Sequence, residues 1–164
     1  MNKLHYILSF VFLLLITSPA WSQSNAIGLN LADLKVKSGD QICMPVTVYG
    51  FQRMLSMQYS INFDPQELEF MGVVNKRLPH LTDGNFGVHS VHKGMLTVVW
   101  IDSSLKGVTK IDGEAVFTVC FLVKGDKGSK TEVKFTDKPT PFESVNLAEQ
   151  VVQINTKKGT ITVQ

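Results

Sequence analysis

The tightest constraint in this chain is a run of alternating side chains that stops at an Asp-Pro step. Tyr59, Ile61 and Phe63 fall on one side of the run, and Gln58, Ser60 and Asn62 fall on the other. A period of two means a strand with one buried face and one wet face. The alternation then ends. Asp64 can accept backbone hydrogen bonds as an N-cap, Pro65 suits a first helical position, and Glu67 can reach back to complete a capping box. One tight turn is expected there, after which Leu68 and Phe70 resume an extended pattern.

The same period recurs along the chain. Ile27, Leu29 and Leu31 alternate, followed by Leu34 and Val36. Ser38-Gly39-Asp40 reads as a turn into Ile42, Met44, Val46 and Val48. Pro45 within that strand lacks a donor and points to an edge or a bulge. Leu68 to Val74, Met95 to Ile101 and Val116 to Val123 are further strands, with Phe117, Val119, Phe121 and Val123 in phase. Val133 with Phe135, Val151 to Ile154, and Thr160 to Val163 complete the series. The stretch from Asn75 to Lys93 is polar and irregular, and reads as a long loop holding one short strand around Phe86 to Val91. Pro139 and Pro141 mark an irregular connection. About eight to ten short strands, with turn residues every ~8–12 positions, indicate an all-β sandwich or jelly roll.

The first residues stand apart from this pattern. Lys3 supplies a small positive charge, Tyr6 to Ile16 is apolar except for Ser9, and Ala20-Trp21-Ser22 places small residues where a signal peptidase reads. Residues 1–22 therefore read as a secretory signal peptide, too short to span a bilayer. No cysteine follows to carry a lipid. Residues 23–164 are expected to form a single soluble domain, secreted or held at the cell surface or in the periplasm. The formal charge of +2 falls to +1 when Lys3 is removed. Nothing in that balance suggests nucleic acid or an anionic membrane. Export permits a disulfide between Cys43 and Cys120 if their strands are adjacent and in register; two free thiols are the alternative.

Several motifs in one order carry a resemblance. Ser38-Gly39-Asp40 leads into Ile42-Cys43-Met44-Pro45-Val46-Thr47-Val48. Tyr59-Ser60-Ile61-Asn62-Phe63-Asp64-Pro65 precedes Leu68-Glu69-Phe70. Val98-Val99-Trp100-Ile101-Asp102-Ser103 follows a glycine turn. Asp112-Gly113 precedes Val116 to Lys124, and Gly159-Thr160-Ile161-Thr162-Val163 closes the chain. This order resembles the cohesin module, the dockerin-binding unit of cellulosomal scaffold proteins. The resemblance implies a nine-stranded β-sandwich with jelly-roll topology. It also implies a protein partner bearing a dockerin, a helical module with paired calcium loops, docked on one sheet face. With the alternation, the outward candidates for partner binding are Ser56, Gln58, Ser60 and Asn62 on one strand, and Thr97, Val99 and Ile101 on the next, with Asp102 at its end.

No catalytic constellation emerges. His80, His89 and His92 share the long loop, but His89 and His92 are spaced to point to opposite faces of a strand, so surface histidines are expected rather than a metal site. Ser103 and Ser104 lack a nucleophile-elbow motif. Glu67 has a capping role and Glu69 alternates outward, which argues against a carboxylate pair. No phosphate-cradling or calcium-binding loop occurs, and no cofactor is expected. A sugar-binding platform would need aligned exposed rings. Trp100 reads as core, Tyr59 and Phe63 face inward, and Tyr49, Phe51 and Phe86 are the rings left for such a role. The expectation is a non-catalytic protein-binding module of an extracellular polysaccharide-degrading or surface assembly. A carbohydrate-binding module, with polysaccharide as partner, is the alternative, and a self-associating subunit of a surface assembly is a third reading.

Overall fold

Ala26 to Gln164 are the residues described in the computed structural model of this chain. The expected signal peptide at 1–22 and the expected new terminus at Gln23 lie outside them. In chain order the strands are β1 (Ala26–Asn30), β2 (Leu34–Val36), β3 (Gln41–Tyr49), β4 (Met54–Asn62), β5 (Leu68–Val74), β6 (Phe86–Gly87), β7 (Met95–Ile101), β8 (Ala115–Val123), β9 (Lys130–Thr136), β10 (Glu143–Asn146), β11 (Gln153–Lys157) and β12 (Gly159–Val163). A first sheet of five strands has the order β11-β1-β3-β8-β5. A second sheet of seven runs β2-β12-β9-β4-β7-β6, with β10 also paired to β4. The protein is an all-β sandwich with jelly-roll topology.

Among the described residues, twelve strands stand where the resemblance implies nine. The difference lies in three interruptions. β1 and β2 are one extended segment that leaves the first sheet for the second, and β11 and β12 repeat that crossing. β9 and β10 both lie along β4, separated by the proline-containing connection. The two crossings meet: β1 pairs in parallel with β11, and β12 in parallel with β2. The ends of the domain thus close both sheets on each other and leave fewer free edges.

The inward phase of each strand fills the space between the sheets. Trp100, Tyr59, Phe51, Phe117 and Phe121 are fully buried. Phe63 meets Phe121 edge-on at 4.9 Å between centroids, and Phe86 meets Phe117 at 5.1 Å. Burying each large side chain of this kind contributes about 1.5–3 kcal/mol. The Trp100 indole N–H donates to the Pro79 carbonyl at 2.7 Å, which ties the long loop to the core.

Two local expectations are corrected. At the Asp-Pro turn, the Asp64 carboxylate does accept from the Gln66 amide at 2.8 Å. Glu67, however, completes no capping box. Its carboxylate accepts instead from the Ser129 hydroxyl at 2.7 Å, so it joins the turn to the start of β9. The short strand expected over Phe86 to Val91 is only Phe86–Gly87, flanked by 3-10 turns at Asp83–Asn85 and Val91–Lys93. Too few apolar residues alternate there to extend it.

Candidate functional site

Directly opposed residues of antiparallel strands point to the same side of the sheet. The register therefore assembles an outward patch on the second sheet. One row runs Val151, Val145, Ser56, Ile101. The next runs Glu143, Gln58, Val99. Val99 is 41% exposed, Ile101 55% and Val151 76%, although none is polar. Ser56, Gln58 and Val145 are half-buried among them. The Gln58 side-chain N–H donates to the Glu143 carboxylate at 3.3 Å. That contact leaves the Gln58 carbonyl oxygen available as an acceptor. A depression of about 140 Å³ opens where the three strands meet, lined by Ser56, Met57, Gln58, Val99, Trp100, Ile101 and Glu143. Asn85 donates to the Val99 carbonyl at 2.9 Å, so the loop before β6 braces the β7 side of the patch.

The sequence-derived set does not survive whole. Ser60 alternates outward as expected but is fully buried. The connection between β9 and β10 folds over it: its hydroxyl accepts from the Thr140 amide at 2.9 Å and donates to the Thr140 carbonyl at 3.3 Å. A prolyl-bounded loop thus roofs this end of the face. Asn62, beyond the roof, is half-buried and accepts from the Thr136 hydroxyl at 2.8 Å. Thr97 is half-buried opposite Gly87 and Ser60. The structure buries Ser60 beneath this loop and leaves Asn62 on its far side, while Ser56, Gln58, Val99 and Ile101 lie together in the open patch.

Asp102 is the other correction. It is fully buried at the end of β7 and cannot meet a partner directly. One carboxylate oxygen accepts from the Ser104 hydroxyl at 2.7 Å and the Ser104 amide at 3.1 Å. The other accepts from the amides of Lys106 at 3.1 Å and Gly107 at 2.9 Å. The Ser104 hydroxyl, with the three amides and against the opposing effect of burial, holds this carboxyl below its ordinary 3.8. Asp102 is therefore the organiser of the loop after β7, which carries Leu105 at 67% exposure with φ 54°.

Sequence reasoning missed Glu143, Val145 and Val151. Glu143 and Val145 do alternate with Ser144 and Asn146, yet Pro139 and Pro141 just upstream mask so short a strand. The other candidate chemistry disperses. Among the described residues no group of three His, Cys, Asp or Glu could hold a metal ion. Of the rings considered for a sugar platform, Phe51 and Phe86 are buried, which leaves Tyr49 at 41% on the first sheet. Phe142, at 36%, is the other exposed ring among the described residues, and it belongs to the second sheet's side. These two rings form no line. Among the described residues, no helix is long and apolar enough to cross a membrane.

The family model described as "Cohesin domain" matches residues 27–163. No curated protein matches the chain in sequence. Among solved structures, the chain is similar to one from a type I cohesin–dockerin complex of Clostridium thermocellum, at 17% identity and TM-score 0.70, covering 85% of this chain and 99% of that one. It is similar to a cohesin of Clostridium acetobutylicum solved in solution, at 17% identity and TM-score 0.67, covering 85% and 91%. It is also similar to a non-cellulosomal cohesin of the hyperthermophilic archaeon Archaeoglobus fulgidus, at 19% identity and TM-score 0.65, covering 85% and 91%.

Proposed function

This chain belongs to the cohesin family, and we propose that it is a non-catalytic docking module whose partner carries a dockerin-type helical module. The observation that carries this reading is the open patch of Val99, Ile101, Val145 and Val151 interleaved with Ser56, Gln58 and Glu143. An apolar centre with polar groups at its margin is the composition of a protein-binding surface. A helix laid across β10, β4 and β7 would rest its apolar side on Val99 and Ile101. The Gln58 carbonyl and the Glu143 carboxylate would then take hydrogen bonds from donors along its margin. Because Gln58 and Glu143 already contact each other, little side-chain freedom is lost on binding. The buried Ser60 end and the Asp102 loop bound the patch on either side.

The test is capture by a panel of dockerin modules on beads in calcium. The unmodified chain is retained by at least one, and Val99→Arg abolishes retention while its melting temperature stays within the error of the parent. Equal retention of Val99→Arg would remove the face assignment. A chain retained by no dockerin but retarded in polysaccharide gels would replace the reading with carbohydrate binding. That alternative has less support here, because Tyr49 and Phe142 do not combine into a platform.

Export belongs to the same reading. Residues 1–22 have the charge, apolar run and small residues of a cleaved signal, and residues 23–164 would be the mature domain. A disulfide joining Cys43 and Cys120 fits an oxidising compartment. Intact mass of the exported protein should correspond to a chain starting at Gln23; an uncleaved cytoplasmic product would contradict export.

A further inference from the structure

The sheet opposite the docking patch carries a different chemistry. Cys43 on β3 and Cys120 on β8 are directly opposed and joined by a disulfide. Their neighbours in sequence, Ile42, Met44, Val119 and Phe121, point into the core and are buried. By alternation the two sulfurs lie on the outer face, with Cys43 exposed and Cys120 half-buried. Two features keep that face open around them. β1 pairs with β3 only at Thr47 to Tyr49 and stops short of Cys43. On the far side, the residue opposite Cys120 is Gly72, just after a bulge in β5. Gly72 has φ 147°, and a Cβ there would meet nothing within 4 Å. Neither flank of the disulfide therefore carries a covering side chain from the paired position.

We propose that the Cys43–Cys120 disulfide is a surface thiol–disulfide exchange site, reducible by a dithiol while the sandwich stays folded. The sulfur of Cys43, the more exposed residue of the pair, is the electrophile. A thiolate of the dithiol attacks it, the S–S bond breaks, and Cys120 leaves as a thiolate that takes a proton from water. The second thiol of the reductant, as its thiolate, then attacks the mixed disulfide. Cys43 is released and protonated, and the reductant becomes a disulfide. Two electrons pass from the dithiol to the protein. Access and the choice of sulfur govern the rate of such exchange. Strand pairing is not confined to the bond, because β3 and β8 are paired in register on both sides of it, from Gln41↔Leu122 to Val46↔Phe117. Reduction would instead free the unfolded chain, in which the bond spans a sequence separation of 77. The docking reading is not needed for any of this.

Dithiothreitol is the probe for the folded, oxidised protein, with iodoacetamide as quench and mass spectrometry as readout. Both cysteines should be alkylated without denaturant. A tenfold rise in dithiothreitol should raise the rate about tenfold, with the far-ultraviolet circular dichroism unchanged and cooperative melting retained at a lower temperature. A rate independent of reductant concentration would show that unfolding gates access and would overturn the proposal. So would alkylation confined to denaturant, or loss of the fold on reduction. With glutathione as a monothiol, the trapped adduct should map to Cys43; an adduct on Cys120 would overturn the assignment of the electrophile.

Discussion

Tyr59 packs edge-on against Phe135 at 5.6 Å, and its hydroxyl is buried with no hydrogen-bond partner among the described residues. Burial pushes this phenol's pKa far up, so it stays neutral. An unpartnered buried hydroxyl costs about 1–3 kcal/mol. Tyr59→Phe should therefore raise stability by roughly 1 kcal/mol, or about 2–4 °C in melting temperature. A fall of that size in a thermal melt would mean that the hydroxyl has a partner. Asp102 behaves in the opposite way. Its carboxyl is held below the ordinary 3.8 by the Ser104 hydroxyl and the loop amides. In that interval the unfolded chain binds more protons than the folded one, so stability rises with pH there. The contribution is fully present above the ordinary value and is lost as pH falls through the lower, folded one. Asp102→Asn should melt lower than the parent at pH 6, and the gap should narrow as melts are taken from pH 4 downward. A gap that is constant with pH would contradict the ionised-loop account. Alternation placed Asp102 beside a binding face because it could see the strand but not the loop that closes on the carboxylate.

At the scale of elements, period-two patterning made the long strands legible. β3, β4, β7 and β8 fall where Ile42, Tyr59, Trp100 and Phe117 alternate. It also set Cys43 and Cys120 off-phase from their apolar neighbours. What it could not show was pairing. Pro45 signalled an irregularity, and the structure places it beyond the reach of β1 and next to a register shift at Val46/Thr47. β10 escaped notice because its strand character comes from lying along β4 rather than from its own four residues. The roof over Ser60 was equally hidden, since Thr140 approaches from 80 positions away. The turn into β7 shows how tightly elements are joined. Gly94 has φ 77°, and a Cβ there would collide with the Phe63 carbonyl at the end of β4. Gly94→Ala should cost about 2 kcal/mol or more, by backbone strain plus that collision. A denaturant midpoint unchanged from the parent would mean that the turn relaxes freely.

As a whole molecule, the sandwich presents two unlike faces. The second sheet offers an apolar patch with polar margins, and the first offers an exposed disulfide. Family membership and sandwich architecture were readable from five ordered motifs. The extent of the open patch was not, because it depends on which connections fold back over the sheet. Among the described residues no group of His, Cys, Asp and Glu could hold a metal ion. A chelator should leave the melting temperature of the isolated chain unmoved and dissociate its complex with a calcium-loaded dockerin; a lowered melting temperature for the isolated chain would contradict that. The most direct test of the docking face is an NMR cross-saturation footprint on the complex with a captured dockerin. Docking on the second sheet gives a footprint over Ser56, Gln58, Val99, Ile101 and Val145, with Pro45 and Leu122 on the opposite sheet untouched. A footprint centred on the β3–β8 face, or on Asn62 beyond the Thr140 roof, would contradict it.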